Sequence, residues 1–120
     1  MTALAVAAAG AVGALLRWRI GVAFGVRSFP WATLAVNVAG CFVLAVVLAG
    51  PAASRWSPTT TTAVAVGLLG AFTTFSTFGY ETFSFLRTDQ PGHAAAYVGL
   101  SLAGGLGATA LGWVVGRTLP

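Results

Sequence analysis

Four long apolar stretches constrain what this chain can fold into more than any other feature. They cover residues 2–24, 31–49, 60–86 and 93–115. A helix needs about 20 mostly apolar residues to cross the hydrocarbon core of a bilayer, and each stretch is close to that length or longer. The connecting loops are short, so neighbouring helices are expected to run antiparallel, with both termini on one side. The sequence therefore predicts an all-α membrane protein with four transmembrane helices.

The scarcity of charge agrees with this fold class. Only 7% of the residues are charged, whereas a soluble domain carries about 25%. The six basic residues are all arginines and are dispersed along the sequence. They form no basic cluster, so nucleic acid is not an expected partner. No change in composition marks a domain boundary, and residues 1–120 are interpreted as a single transmembrane domain.

The arginines in the predicted loops are balanced between the two sides of the membrane. Arg27 and Arg87, with Arg19 nearby, fall on one side, whereas Arg55, Arg117 and the terminal amine fall on the other. The positive-inside rule therefore gives no orientation. Such a balance is typical of a protein that inserts in both orientations, although counting Arg17 would favour the first side.

The third apolar stretch contains a polar segment, residues 70–81. It places four hydroxyl side chains among three phenylalanines: Thr73, Thr74, Ser76 and Thr77. Serine and threonine compete with helical hydrogen bonding, and glycine weakens a helix, so we predict a break over residues 70–77. A break at membrane depth must be buried in protein or line a wet cavity, where an ion can use the freed backbone groups. The alternative is an unbroken helix whose hydroxyls bond to neighbouring helices.

Asn37 lies in the middle of the second apolar stretch. A buried amide without partners costs about 1–3 kcal/mol, so this side chain must be hydrogen-bonded. One interpretation is a bond to a neighbouring helix. The other is a pore donor, because the amide NH2 offers two hydrogens to an anion. Thr33 lies four residues earlier on the same helical face and would extend a polar track.

Two phenylalanines and two charged residues are further candidates. Phe75 and Phe78 would lie on about one face of a helix, and the electropositive edges of their rings can meet a small anion. Most such stripes, however, face lipid or the protein core. Arg17 and Glu81 are the charges deepest in the apolar stretches. Charges placed there are functional hypotheses by default, and a mutual ion pair is the alternative for both.

No set of residues suggests catalysis. His93 stands alone beside a loop, and Cys41 is the single cysteine, which has the character of a small buried apolar residue. Neither belongs to a cluster that would bind a metal or form a nucleophile. An enzyme is therefore not expected.

Three motifs together resemble the CrcB/Fluc family of fluoride channels. Residues 10–18 match a glycine-rich first helix that ends in arginine and an aromatic residue. Residues 30–42 match a second-helix motif that carries Thr, Leu, Val, Asn and Gly. Residues 70–81 match the signature Gly-x-x-Thr-Thr-Phe-Ser-Thr-Phe-x-x-Glu, which is highly specific. The chain length and the four predicted helices fit as well, so the resemblance covers the whole chain.

The resemblance implies a function and an assembly. Members are antiparallel, dual-topology dimers in the bacterial inner membrane, and they let fluoride leave the cytoplasm passively. Some organisms carry two divergent copies that form a heterodimer, and that possibility stays open here. A structural sodium ion at the dimer centre would be held by the main-chain carbonyls of Gly70 and Thr73. The implied fluoride-pathway residues are Arg17, Thr33, Asn37, Phe75, Phe78, Glu81, Tyr97 and Ser101. A further serine that some relatives carry is replaced by Gly105.

Two other functions remain alternatives. A dual-topology exporter that trades protons for organic cations would need an acid in the first helix. None exists there, so Glu81 would have to take that role. A structural subunit without transport would explain the glycines but not the polar residues retained among apolar ones.

Overall fold

A computed structural model describes residues 1–120, and four of its segments are long and apolar enough to cross a membrane. Three of them are continuous α-helices: α1 (Thr2–Phe24), α2 (Trp31–Ala49) and α7 (Pro91–Thr118). The third segment, Pro58–Arg87, is built from several pieces. A short helix, α3 (Ala52–Arg55), occupies the loop after α2. The predicted all-α architecture with four apolar helices is confirmed.

Glycine defines the end of α1, which lies where the sequence predicts it. Gly25 has a φ of 65° and donates its N–H to the carbonyls of Gly21 and Val22. Positive φ is easy for glycine and costly for other residues, so the chain can leave the helix abruptly here. The turn that follows leads to Pro30, and α2 begins at the next residue.

The third segment changes its helical form along its length. It starts with α4 (Pro58–Thr62), and the Ser57 side chain accepts a hydrogen bond from Thr60 N. This start is two residues before the predicted one, because proline suits a first helical turn. A π-helix (Ala63–Leu69) and a short turn, α5 (Gly70–Phe72), follow.

Helical structure then stops at Thr73 and Thr74, whose ψ angles of 162° and 115° are extended. It resumes as α6 (Phe75–Arg87), for which Thr74 is the N-cap. The interruption lies inside the interval 70–77 in which the sequence predicts one. This interruption divides the third apolar segment into two helical parts, so that the carboxyl end of the first part faces the amino end of α6.

Small residues let α2 and α7 pack closely. A Cβ atom on Gly112 would collide with the carbonyl oxygen of Phe42, and one on Gly116 would lie 2.8 Å from that of Val46. Backbones approach this closely only where side chains are absent. The fourth helix therefore extends beyond the predicted end at residue 115, since α7 continues to Thr118 and uses Gly116 for packing.

Glycine also sets the contact between α1 and the π-helix. A Cβ on Gly13 would collide with the carbonyl of Leu68, and one on Gly67 would lie 2.7 Å from that of Val6. By contrast, a Cβ on Gly21 would meet nothing within 4 Å. Gly21 and Gly25 therefore make no close helix contact within the chain.

Few side chains are buried inside this single chain. Only 13 of 120 residues are buried, and the main apolar cluster consists of Phe85, Ala94 and Tyr97. Phe29, Leu34 and Phe78 pack against it. Most other large apolar side chains are on the exterior, which suits contact with lipid or with another protein surface.

Candidate functional site

Asn37 pairs with the backbone of the helix break. Its Nδ2 donates to the carbonyl oxygen of Thr74 at 3.0 Å, and its Oδ1 accepts from the N–H of Thr74 at 2.7 Å. The side chain thus satisfies both backbone groups that the break frees at this residue. The structure therefore contains one of the two interactions considered from the sequence, a hydrogen bond from Asn37 to a neighbouring transmembrane segment. One N–H of the amide takes no part in this pairing and is available to another acceptor.

Hydroxyl groups organise the start of α6. The Oγ1 atom of Thr74 accepts from Thr77 N at 3.2 Å and donates to Thr77 Oγ1 at 3.0 Å. Thr73 Oγ1 donates to the carbonyl of Leu69 at 3.0 Å, which closes the preceding turn. An N-cap of this kind is worth about 1 kcal/mol and fixes the direction in which the helix leaves the break. The amino terminus of α6, with its partial positive charge, consequently lies at the break.

A cleft of about 300 Å³ lies between α2, the third segment and α7. It collects residues that the sequence analysis selected from three different helices. They are Asn37, Gly70, Thr73, Phe75, Phe78 and Ser101. The fold thus brings together the amide, the two phenylalanines, one hydroxyl of the fourth helix and both predicted carbonyl ligands.

Phe75 and Phe78 present their rings at the side of this cleft. Their centroids are 5.7 Å apart and their planes are inclined by 49°. Phe78 rests against Tyr97, with centroids 5.1 Å apart. Phe75, in contrast, is 83% exposed. Phe78 is therefore positioned by the core, whereas Phe75 projects from the surface of the single chain.

Glu81 is held by two hydroxyl donors. Tyr97 donates to Oε2 at 2.7 Å, and Thr33 donates to Oε1 at 3.0 Å. The ion pair with Arg17, which was the alternative interpretation for both residues, is not formed, because Arg17 instead contacts the carbonyl of Thr73. Tyr97 is fully buried and does not line the cleft. It lies behind Phe78 and links that ring to Glu81.

Arg17 reaches the break from α1. Its Nη1 lies 3.3 Å from the carbonyl oxygen of Thr73. It also lines a second cleft, of about 360 Å³, together with Thr33 and Thr77. Thr74 borders both clefts. The residues of the break therefore separate a cleft that contains Asn37 from one that contains Arg17.

The carbonyl oxygen of Gly70 loses its helical partner at the break. In an unbroken helix it would accept from the N–H of Thr74, but that group donates to Asn37. The carbonyl of Thr73 accepts one bond from Arg17 and keeps a second lone pair. No group of three or more His, Cys, Asp or Glu side chains lies together. Uncharged, hard carbonyl oxygens suit a hard cation, so the chemistry of both atoms fits the predicted sodium ligands.

Sequence reasoning missed the importance of Thr74 and Thr77. They were noted as hydroxyls of the polar segment but were not selected as site residues. Threonine is a favoured N-cap residue, and this preference identifies Thr74 as a candidate cap. The pairing of its backbone with Asn37 depends on tertiary structure and has no local signal.

Comparison with known proteins identifies relatives over nearly the whole chain. A family model described as "CrcB-like protein, Camphor Resistance (CrcB)" matches residues 4–113. A Bordetella avium protein named fluoride-specific ion channel FluC is 44% identical over 110 residues, which cover 91% of this chain and 87% of the relative. A protein of the same name from Acidobacterium capsulatum is 44% identical over 124 residues, covering 99% and 98%. With its four apolar helices and bacterial relatives, the chain is a multi-pass bacterial membrane protein, and it belongs to the CrcB-like family.

Proposed function

We propose that this protein is a fluoride-selective channel that lets fluoride leave the cytoplasm passively. The observation that carries the proposal is the pairing of Asn37 with the backbone of Thr74. It fixes the amide beside the cleft with one N–H still available as a donor. The names of the relatives, fluoride-specific ion channel FluC, support the choice of ion.

The chemistry of the cleft suits a small anion. Fluoride is strongly hydrated, so entry into a narrow path requires donors that replace water. The amide of Asn37 and the hydroxyl of Ser101 border the cleft, and the amino terminus of α6 adds partial positive charge. The electropositive ring edges of Phe75 and Phe78 complete an environment that attracts an anion without binding it through a full charge. Weak, multiple contacts of this kind permit conduction rather than tight binding.

A second copy completes the proposed channel. Phe75 projects from the surface, and one chain offers only the carbonyls of Gly70 and Thr73 to a cation. An antiparallel dimer with a two-fold axis would double these carbonyls and bring two breaks together. The sodium ion in this proposal is structural and supplies positive potential near the pathway. A paralogous chain would serve as the second copy in the same way.

The contacts of Glu81 argue against the exporter alternative. A proton-coupled exporter needs an acid that alternates between a proton and the cargo. Both oxygens of Glu81 are instead bonded to Thr33 and Tyr97. The acid here positions two side chains, which is a structural role rather than an exchange of proton and cargo.

The test is an efflux measurement in liposomes. Purified protein is reconstituted in vesicles loaded with potassium fluoride, valinomycin is added, and fluoride release is followed with an ion-selective electrode. Vesicles loaded with potassium chloride are the control. Rapid fluoride loss without chloride loss is expected. If folded, reconstituted protein released neither ion, a channel made of this chain alone would be refuted. Equal release of both ions would refute fluoride selectivity.

A further inference from the structure

A polar cleft and an apolar groove meet at the end of the molecule where α1 gives way to α2. The cleft has a volume of about 410 Å³ and the groove about 450 Å³. Phe24 and Trp31 line both. The two spaces are therefore neighbours that share these aromatic side chains, and together they form one combined space. Neither contains Asn37, Phe75 or Phe78, although Thr33 and Glu81, two of the implied pathway residues, border the polar cleft.

The groove runs along α2 and α7 and has an apolar lining. Leu34, Ala35 and Val38 of α2 border it on one side, and Leu100 and Gly104 of α7 on the other. From Trp31 to Val38 it follows seven residues of helix, or about 10 Å. A Cβ on Gly104 would lie only 3.1 Å from Val38 Cγ2, so the absence of a side chain lets α2 and α7 approach closely at the floor of the groove. A groove of this length and composition fits a segment of an alkyl chain.

Arg27 is fixed at the polar end of this space. The turn at Gly25 folds the chain back, and Arg27 Nε donates to the carbonyl of Phe24 at 2.9 Å. This bond uses one of the five guanidinium donors and leaves four on the two Nη atoms. Glu81 also borders the cleft, where it accepts hydrogen bonds from Thr33 and Tyr97. Arg27 is the cationic group of the cleft, and it has free donors.

Charge at this end of the molecule favours an anion. Around this end of the molecule the three arginines Arg19, Arg27 and Arg87 outnumber the two acids Glu81 and Asp89. Arginines near a membrane surface attract anionic lipids, and the planar guanidinium binds phosphate through two parallel hydrogen bonds. Tryptophans such as Trp31 are typical of the depth at which lipid headgroups lie.

We propose that this combined space binds one anionic phospholipid. The phosphate lies on the Nη atoms of Arg27, and one acyl chain follows the groove between α2 and α7. Recognition therefore requires both parts of the ligand, a negatively charged headgroup and a long alkyl chain. Free phosphate or glycerophosphate would meet only the first requirement.

Native mass spectrometry of the detergent-purified protein tests the headgroup. Phosphatidylglycerol is the probe, and phosphatidylcholine with the same acyl chains is the comparison. Arg27→Gln is expected to lower the fraction of protein that carries phosphatidylglycerol about fivefold. Arg55→Gln, an exposed arginine at the other end, is the matched control and should leave that fraction unchanged. Equal loss in both variants, or no preference for phosphatidylglycerol, would overturn the proposed site.

A second pair of variants tests the acyl chain. Ala35→Phe fills the groove from an exposed position and should reduce phosphatidylglycerol binding about as much as Arg27→Gln. Ala110→Phe, an exposed alanine of α7 outside every cleft, should not. Glycerophosphate added at the same concentration should leave lipid binding unchanged. Displacement by glycerophosphate, or unchanged binding in Ala35→Phe, would show that the groove takes no part and would refute the proposal.

Discussion

Replacing Asn37 with aspartate separates the two bonds that join α2 to the helix break. The two side chains have nearly the same shape, so Oδ1 can still accept from the N–H of Thr74, which lies 2.7 Å away in the parent protein. The other bond is lost, because an ionised carboxylate has no hydrogen to donate to the carbonyl of Thr74 at 3.0 Å. The substitution also places negative charge beside the proposed fluoride path.

The size of the effect follows from the lost donor. A buried acceptor without a partner costs about 1–3 kcal/mol, and Thr74 is one of the few buried polar residues. If the same free energy is added to the barrier for an ion that passes the break, flux falls about 5- to 150-fold. Repulsion between the carboxylate and fluoride acts in the same direction. We therefore expect fluoride efflux at least about tenfold slower than in the parent protein.

The assay is fluoride efflux from liposomes at matched protein density, with circular dichroism and size-exclusion chromatography as checks on folding. Thr109→Val is the control, because Thr109 donates to the carbonyl of Gly105 on an exposed part of α7 and lies outside the cleft. If Asn37→Asp remained folded and conducted within about twofold of the parent, the argument that links this pairing to conduction would be refuted.

The other predictions concern the ring edges, the cap and the helix contact. Phe75→Ile should reduce fluoride efflux at least about tenfold yet change unfolding free energy by no more than about 0.5 kcal/mol, since the side chain is 83% exposed. If Phe75→Ile lowered the unfolding free energy together with fluoride efflux, this prediction would be contradicted. Thr74→Ala should lower stability by about 1 kcal/mol in thermal or denaturant unfolding through loss of the cap, and Thr74→Ser should retain most of it. Gly13→Ala should cost about 1–3 kcal/mol because its methyl group would press on the carbonyl of Leu68. Gly21→Ala, where space is open, should be neutral, and equal effects of the two would contradict the proposed helix contact.

The ends of the helices were predictable where glycine or proline residues terminate them. The bounds of α1 and α2 agree with the structure because Gly25 and Gly50-Pro51 end those helices. The fourth helix begins earlier than expected, at Pro91, and ends later. Its last glycine, Gly116, resembles a helix end in sequence, but its role is to let two backbones meet. Local sequence cannot distinguish these two uses of glycine.

The form of the third segment was only partly predictable. Competing hydroxyls and glycine predict an interruption near Thr73, since their effects act within one or two turns. The π-helix over Ala63–Leu69 has no comparable signal in its alanine, valine and leucine residues. The π-helix packs against Gly13 and its neighbours on α1. This packing depends on tertiary structure, which the composition of residues 63–69 does not indicate.

Contacts in the candidate site show the same limit. The sequence predicts that Asn37 needs a partner, because a lone buried amide is costly. It does not predict that the partner is the backbone of Thr74. Likewise, the rule that buried charges are paired suggests joining Arg17 to Glu81, whereas the structure gives Arg17 a carbonyl and Glu81 two hydroxyls. Residue types indicate which polar groups need hydrogen-bonding partners. The tertiary fold determines which of the possible partners each group contacts.

The pairing of Asn37 with Thr74 also has a consequence for membrane insertion. The two residues are 37 positions apart, so at about 5–20 residues per second the ribosome needs about two to seven seconds to pass from one to the other. During that interval the second span carries a carboxamide that lipid cannot satisfy. The third span in turn emerges with a backbone N–H and C=O at Thr74 that this carboxamide satisfies in the folded protein. We therefore expect the second span to remain at the protein-lined exit of the translocon until the third arrives, and the two to enter the bilayer as a pair.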